Sequence, residues 1–145
     1  MATHSRALLS SCIAIIRAVS RTTCETWQSG LIRRGTAQLP AQFAAALEPA
    51  IGSLYLAEGL ISFRSIVETE LYNYPFGNFV PNLLAHTDLP ELTVSLAPRR
   101  VTLAGTVDGA GNQMASEAVR AAFPSASNIR VLPEPAWSPS DILSA

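Results

Sequence analysis

The chain has 145 residues, of which 48% are hydrophobic and 14% are charged, and its formal net charge is -1. This length is sufficient for one domain with a hydrophobic core, and the charge offers no attraction to nucleic acid or to an anionic membrane. No uninterrupted apolar run approaches the roughly 20 residues that a membrane-spanning helix requires. We therefore expect neither a nucleic-acid partner nor a membrane partner.

The first 39 residues differ in composition from the rest of the chain. They hold five Arg and one acidic residue, whereas residues 40–145 hold five Arg and ten acidic residues. This break predicts a boundary near Pro40, between a poorly specified segment (1–39) and the C-terminal part of an α/β domain (40–145). The basic start and the apolar run that follows it are typical of a weak signal peptide. A short amphipathic helix with a linker, or an altered amino terminus, are the alternatives, so the compartment stays open between cytoplasmic and secreted.

Two cysteines, Cys12 and Cys24, lie in this first segment. With only His4 and His86 as nitrogen ligands in the whole chain, their spacing does not fit a metal site. They are either two free thiols or, in an exported protein, a disulfide. We expect no metal and no cofactor.

Apolar periodicity becomes regular after Pro40 and predicts alternating helices and strands. The run AQFAAALEP predicts a helix, and the run IGSLYLAEG predicts a strand. Residues 61–98 are mostly helical in period and predict two or three helices. The last of these should begin at Asp88, an N-cap residue followed by Pro90 and by Glu91 at the capping-box position.

The stretch PRRVTLAGTVDGAGNQMASEAVRAAFPSASNIRVLPEP, residues 98–135, predicts a strand, a loop, a helix and a strand. Glycines allow a tight loop, and Met114 opens a run with helical spacing. Two strands joined by a helix should be parallel, with a right-handed crossover. The sequence thus predicts an α/β fold with a small parallel sheet of about three strands flanked by helices. So small a sheet leaves apolar edges exposed, and we expect self-association or pairing with a partner chain through these edges.

Asp108 is the main candidate for a functional residue. It follows the first strand of that stretch, at the sheet edge where α/β folds place their chemistry. Its carboxylate has two interpretations, the acid that orients a catalytic histidine or an Asx-turn and cap residue. The sequence pattern alone does not choose between them.

Other sequence motifs that could indicate catalysis or ligand binding are weaker. There is no G-x-S-x-G motif, and no Ser or Cys lies at a predicted strand-to-helix turn. His86 lies two residues before Asp88 and either hydrogen-bonds to it or ends a helix, where the helix dipole favours a histidine. The run Gly109–Met114 is similar to a dinucleotide-binding loop, but Met114 replaces the third glycine, and a glycine-rich turn is the simpler interpretation.

Residues 68–79 are rich in acidic and aromatic side chains. Glu68 and Glu70 are two residues apart on a predicted helix, so they do not share a face and form a poor acid/base pair. The aromatic residues from Tyr72 to Phe79 either line a pocket beside Asp108 or pack a helix corner.

From about Ala44 to Leu132 the chain resembles the C-terminal part of α/β-hydrolases of the acetyl-xylan-esterase-like kind. The resemblance lies in ALEPAIGSLYLAEGLISFRSIVETE and, above all, in TDLPELTVSLAPRRVTLAGTVDG. In that family the second run is a short helix, an A-P-R turn and a late sheet strand that ends in Asp. The resemblance implies a three-layer fold, carboxylesterase-type activity and a small-molecule or carbohydrate ester substrate.

By position, Asp108 matches the acid of the family's Ser–His–Asp triad, where it would orient the histidine. The chain departs from the pattern at the other two members. The nucleophile elbow should precede AAALEP, but RRGTAQLPAQF has no serine, and PEPAWSPSDILSA has no histidine after the last strand. The resemblance therefore implies the C-terminal portion of a hydrolase, truncated or degenerate, inactive as this chain alone, with Asp108 as a vestigial acid. A non-catalytic interaction or structural subunit is the alternative.

Overall fold

A computed structural model describes residues 29–124 and 126–137 of the chain. At its centre is a four-stranded parallel sheet in the order β1-β2-β3-β4. The strands are β1 (Ser29–Arg34), β2 (Ile51–Ala57), β3 (Arg100–Ala104) and β4 (Ile129–Leu132). The α-helices in the described ranges are α1 (Gln38–Leu47), α2 (Phe63–Val67), α3 (Leu89–Ser95) and α4 (Ser116–Ala121).

The predicted targeting segment and the two cysteines, Cys12 and Cys24, lie outside the described residues. The α/β class and the parallel pairing of the predicted strands are confirmed. The strands that follow Pro40 lie where the apolar runs predicted them.

The prediction of about three strands is wrong, because the sheet has four. The additional strand is β1, which lies within residues 1–39 and pairs with β2 as far as Arg34 and Ala57. Leu31 and Ile32 are its only large apolar residues, and two arginines follow them. This composition is typical of a linker, and for that reason no strand was predicted here. An edge strand has only one hydrogen-bonded neighbour and needs less apolar surface than a central strand, which explains why the pattern was weak.

One face of the sheet carries the main hydrophobic core. Leu54 and Leu56 of β2 lie there beside Val101 and Leu103 of β3, all buried. Side chains alternate along a strand, so each of these pairs points to the same face. Helix α1 packs on β1 and β2, and its small side chains allow a close approach to the sheet. Those that enter the core are Ala41, Ala44 and Ala45.

The other face is centred on Tyr55, which is buried in β2. Its hydroxyl donates to the Ala136 carbonyl and accepts from the Ala136 N–H, both at 2.8 Å. The ring of Trp137 lies 6.1 Å from the Tyr55 ring. These contacts hold the residues that follow β4 against the sheet.

Helix α3 begins where the sequence predicted. Asp88 is its N-cap, and the carboxylate of Glu91 accepts from the Asp88 N–H at 2.7 Å, which completes the capping box. Helix α1 packs against α3, and the amide of Gln42 donates to the Thr93 hydroxyl at 2.7 Å. The capping-box prediction is therefore confirmed.

The first two helices predicted within residues 61–98 are shorter than their periodicity suggested. Helix α2 ends at Val67, and only a single 3-10 turn, Leu83–Ala85, forms in place of the second predicted helix. Asn82, immediately before that turn, has a left-handed φ of 65°, and Pro81 precedes it without an N–H to donate. Both features prevent a regular helix from passing through this point.

Candidate functional site

The candidate site lies at the carboxyl edge of the sheet, where the loops that follow β2 and β3 meet. Val107 forms a parallel bridge with Leu60 beyond the ends of the two strands. Its N–H donates to the Gly59 carbonyl at 2.9 Å, and its carbonyl accepts from the Ile61 N–H at 2.9 Å. The β2–β3 pairing therefore continues past Ala104 and places Asp108 directly after it.

The carboxylate of Asp108 is bound within its own loop. Its Oδ1 accepts from the backbone N–H groups of Ala110 at 2.9 Å and Asn112 at 2.8 Å. Its Oδ2 accepts from the Asn112 side-chain amide at 3.3 Å. The main chain closes the same turn, because the Asp108 N–H donates to the Asn112 carbonyl and the Gly111 N–H donates to the Asp108 carbonyl. This is the Asx-turn arrangement that one of the two sequence interpretations expected.

These hydrogen bonds also set the protonation of Asp108. Its limited burial acts to raise the pKa, but the hydrogen bonds from Asn112 and Ala110 outweigh it and hold the pKa below the ordinary value of 3.8. Hydrogen bonds to an ionised carboxylate favour the charged form. Asp108 is therefore an anion near neutral pH, suited to accept a hydrogen bond and not to donate a proton.

The Asp108 loop is held against helix α2 at close range. The Gly109 N–H donates to the Ser65 hydroxyl at 2.7 Å, and the Gly109 carbonyl accepts from the Asn73 N–H at 2.9 Å. A Cβ on Gly109 would lie 2.4 Å from the Ser65 carbonyl oxygen. Only glycine fits at this position, so the position of the loop depends on Gly109.

One ion pair at the same edge of the sheet was not predicted from the sequence. The guanidinium of Arg34, at the end of β1, forms a two-pronged contact with the Glu58 carboxylate, at 2.5 and 2.9 Å. Glu58 has an unusual φ of 52°, and the contact with it raises the pKa of Arg34. Neither group is deeply buried. The pair was missed because Arg34 lies in the segment for which no strand was predicted.

The two positions where the family resemblance expects a nucleophile and a base are occupied by other groups. The turn between β1 and α1 is Gly35–Ala37, and its one hydroxyl is the exposed Thr36. After β4, Ala136 is engaged by the Tyr55 hydroxyl. Ser138, the end of that second region, lies outside the described residues.

Asp88 and His86 do not form the pair that one interpretation allowed. The Asp88 carboxylate accepts from the N–H groups of Leu89 at 2.7 Å, Phe63 at 2.8 Å and Arg64 at 3.2 Å. The His86 ring instead lies 3.4 Å from the Asn82 side-chain amide. Asp88 is thus a structural residue that joins the start of α3 to the start of α2.

The glycine-rich run Gly109–Met114 forms a closed turn and does not lead directly into a helix. Gln113 pairs back in antiparallel fashion with Val107, and α4 begins only at Ser116. The dinucleotide fingerprint requires the helix N-terminus to follow the glycines closely, so that its N–H groups can face a pyrophosphate. The simpler interpretation, a glycine-rich turn, fits this geometry.

The aromatic residues of the 72–79 stretch form one cluster around Phe79. The Phe79 ring lies 5.7 to 6.1 Å from the rings of Tyr72, Tyr74, Phe76 and Phe63. Burial raises the pKa of Tyr74, against a smaller opposite effect of its hydrogen bond with Asn78. The inner side of this cluster packs on Leu39, Leu60 and Leu89. The helix-corner interpretation fits these contacts.

Within residues 29–124 and 126–137, no cluster of three or more His, Cys, Asp or Glu side chains is arranged to hold a metal ion. In the same ranges no helix has the length and apolar character needed to cross a bilayer. Comparison of the chain with protein-family models, with curated proteins and with solved structures gave no match.

Proposed function

We propose that this chain is an α/β-hydrolase-related module that does not itself hydrolyse esters. In full-length relatives of the acetyl-xylan-esterase-like kind, the residue at the position of Asp108 would orient the histidine of a Ser–His–Asp triad. Here its carboxylate instead organises the 108–112 turn. The sequential order of four parallel strands, with the acid after the third, is the arrangement that such a relationship would produce.

The observation that carries this proposal is the hydrogen bonding of Asp108. Its Oδ1 is engaged by two backbone N–H groups and its Oδ2 by the amide of Asn112. The hydroxyl at the β1–α1 turn belongs to Thr36, which needs a general base to become a nucleophile, and the chain has only His4 and His86. His86 is held near Asn82, in the connection between β2 and β3.

A short-chain nitrophenyl ester tests this directly. The purified chain should hydrolyse nitrophenyl acetate no faster than its own Asp108→Asn and Thr36→Ala variants. Hydrolysis by the parent chain that disappears in either variant, while both variants stay folded by circular dichroism, would refute the proposal.

A second candidate function is the completion of the sheet by a partner strand. Among the described residues, β1 is hydrogen-bonded to β2 alone, and Ile32 is 38% exposed on it. Size-exclusion chromatography with light scattering should show concentration-dependent association that Ile32→Lys weakens. A monomer at every concentration would contradict self-pairing at this edge.

A further inference from the structure

The connection between β2 and β3 contributes most of the exposed apolar surface of the described residues. Ten large hydrophobic side chains are exposed among the described residues, and seven of them belong to residues 65–98 of this connection. Leu71 is 85% exposed, Phe76 is 83% exposed and Val67 is 73% exposed. The other four are Tyr72, Val80, Leu84 and Val94. Contiguous apolar surface on a folded protein commonly marks a binding site.

The same connection has more carboxylates than arginines: Glu58, Glu68, Glu70, Asp88 and Glu91 against Arg64 and Arg99. Residues 65–98 contain four carboxylates and no Arg or Lys. Two of the four are used inside the fold, because Asp88 caps helices and Glu91 binds the Asp88 N–H. Glu68 and Glu70 are both exposed, and the one ion pair of the described ranges, Arg34–Glu58, does not involve them. The exposed Arg64 lies one turn before Glu68 without an ion pair to it in the described residues, so the two carboxylates leave a net negative charge beside Val67 and Leu71.

The exposed aromatic side chains of the connection pack on partly buried and buried rings. Tyr72 and Phe76 both pack on Phe79, with ring centroids 5.7 and 5.8 Å apart. Phe79 in turn contacts the buried Phe63, at 6.1 Å between ring centroids. The main chain beside Tyr72 is fixed by the hydrogen bond from the Asn73 N–H to the Gly109 carbonyl. Exposed aromatic rings on a rigid support lose little conformational entropy when a partner binds, which is typical of interface anchors.

We propose that this surface, defined by Val67, Glu68, Glu70, Leu71, Tyr72 and Phe76, binds a basic amphipathic segment of another protein. The apolar stripe of that segment would cover Leu71 and Phe76, and its Arg or Lys residues would pair with Glu68 and Glu70. Interfaces of this kind combine apolar anchors with complementary charge at the rim.

The charges argue against the other occupants. A second copy related by a two-fold axis would present the same face, so that two surfaces of net negative charge would meet. Anionic lipid headgroups and nucleic acid phosphates would also be repelled by these carboxylates. A cationic protein segment is the partner that satisfies both the apolar and the acidic parts.

Fluorescence anisotropy with a labelled amphipathic helical peptide made of Leu and Arg tests the proposal. The full chain should bind this peptide, and an isomeric peptide of Leu and Glu should not bind. Phe76→Ser should weaken binding at least about tenfold, as loss of a central anchor does. The double change Glu68→Gln with Glu70→Gln should weaken binding and make it less sensitive to salt.

Leu47→Ser is the matched control, because Leu47 is an exposed leucine of α1 outside this surface. It should leave peptide binding unchanged, and all variants should retain the thermal unfolding midpoint of the parent chain. Equal binding of the two peptides, or equal loss in Leu47→Ser and Phe76→Ser, would overturn the proposal. A dimer of the parent chain that Phe76→Ser dissociates would assign the surface to a second copy and would also overturn it.

Discussion

The sheet and the connection between β2 and β3 differ in how far they rely on buried apolar area. In the sheet, apolar side chains such as Leu56 and Val101 are almost completely buried, in one core with alanines of helix α1. The connection has a smaller buried cluster that includes Phe63 and Leu89, while Leu71 and Phe76 are exposed, and hydrogen bonds to Asp88 and from Gly109 fix its main chain. The sheet therefore depends mainly on buried area, whereas the connection combines a small buried cluster with a small number of specific contacts.

The largest contrast between the two regions should appear when leucines are truncated. Leu56→Ala should lower the free energy of unfolding by about 3 kcal/mol, because it leaves a cavity in the packed core. Leu71→Ala, in the connection, should change it by less than about 0.5 kcal/mol, because the side chain is already in water. Urea unfolding followed by circular dichroism measures both. Equal losses would show that the connection is covered in solution.

The next largest effect should come from the contact between the Asp108 loop and α2. Gly109→Ala places a Cβ within 2.7 Å of three backbone atoms of Ser65 and Ile66, none of which can move alone. We expect a loss of about 2 kcal/mol, typical of overpacking. Gly77→Ala is the control, since nothing lies within 4 Å of a Cβ at that position. If both variants unfold at the parent's urea midpoint, the loop does not rest on α2 as described.

A substitution of Asp88 tests how far the stability of the connection depends on one carboxylate. Asp88→Ala removes the acceptor for the N–H groups of Leu89, Phe63 and Arg64. We expect a loss of about 1.5 kcal/mol, the upper range for an N-cap residue. The exposed Glu68, changed to Ala, serves as the control and should cost much less. Amide hydrogen exchange should speed up at α2 and α3 and stay slow in β2 and β3; uniform acceleration would mean that the two regions unfold as one.

The smallest effect concerns the pH dependence of Asp108. Its pKa is lowered in the folded chain, so the stabilising contribution is present above about pH 4 and disappears as the pH falls through the lowered pKa. Asp108→Asn keeps the shape and one acceptor oxygen but does not titrate. The urea midpoint of this variant should therefore fall less than that of the parent chain as the pH decreases from about 5 to about 2. Parallel curves for the two proteins would contradict the lowered pKa.

Several local features could be predicted because they depend on neighbouring residues. Asp88, Pro90 and Glu91 define a capping box within four residues, and the structure has it. The apolar runs of β2, β3 and β4 predicted parallel strands that the structure confirms. The candidate position of Asp108 at the carboxyl edge of β3 followed from the same run.

Other features could not be predicted because their cause lies far away in the chain. Strand β1 is stabilised by pairing with β2, and its own apolar content is too small to reveal it. The helical period of residues 63–71 is interrupted after Val67, and the Asn73 N–H then donates to the Gly109 carbonyl of the distant Asp108 loop. The Arg34–Glu58 pair joins residues on two strands, and no local pattern connects them.

By itself, the sequence determined the α/β class, the position of three strands and the start of α3, because these follow from short-range periodicity and capping. Only the tertiary structure decided that the sheet has a fourth strand and that the Asp108 carboxylate is engaged by its own loop. Only the tertiary structure packed the exposed rings of Tyr72 and Phe76 on Phe79. These outcomes depend on contacts between segments that are distant in sequence, and such contacts form only when the chain is folded.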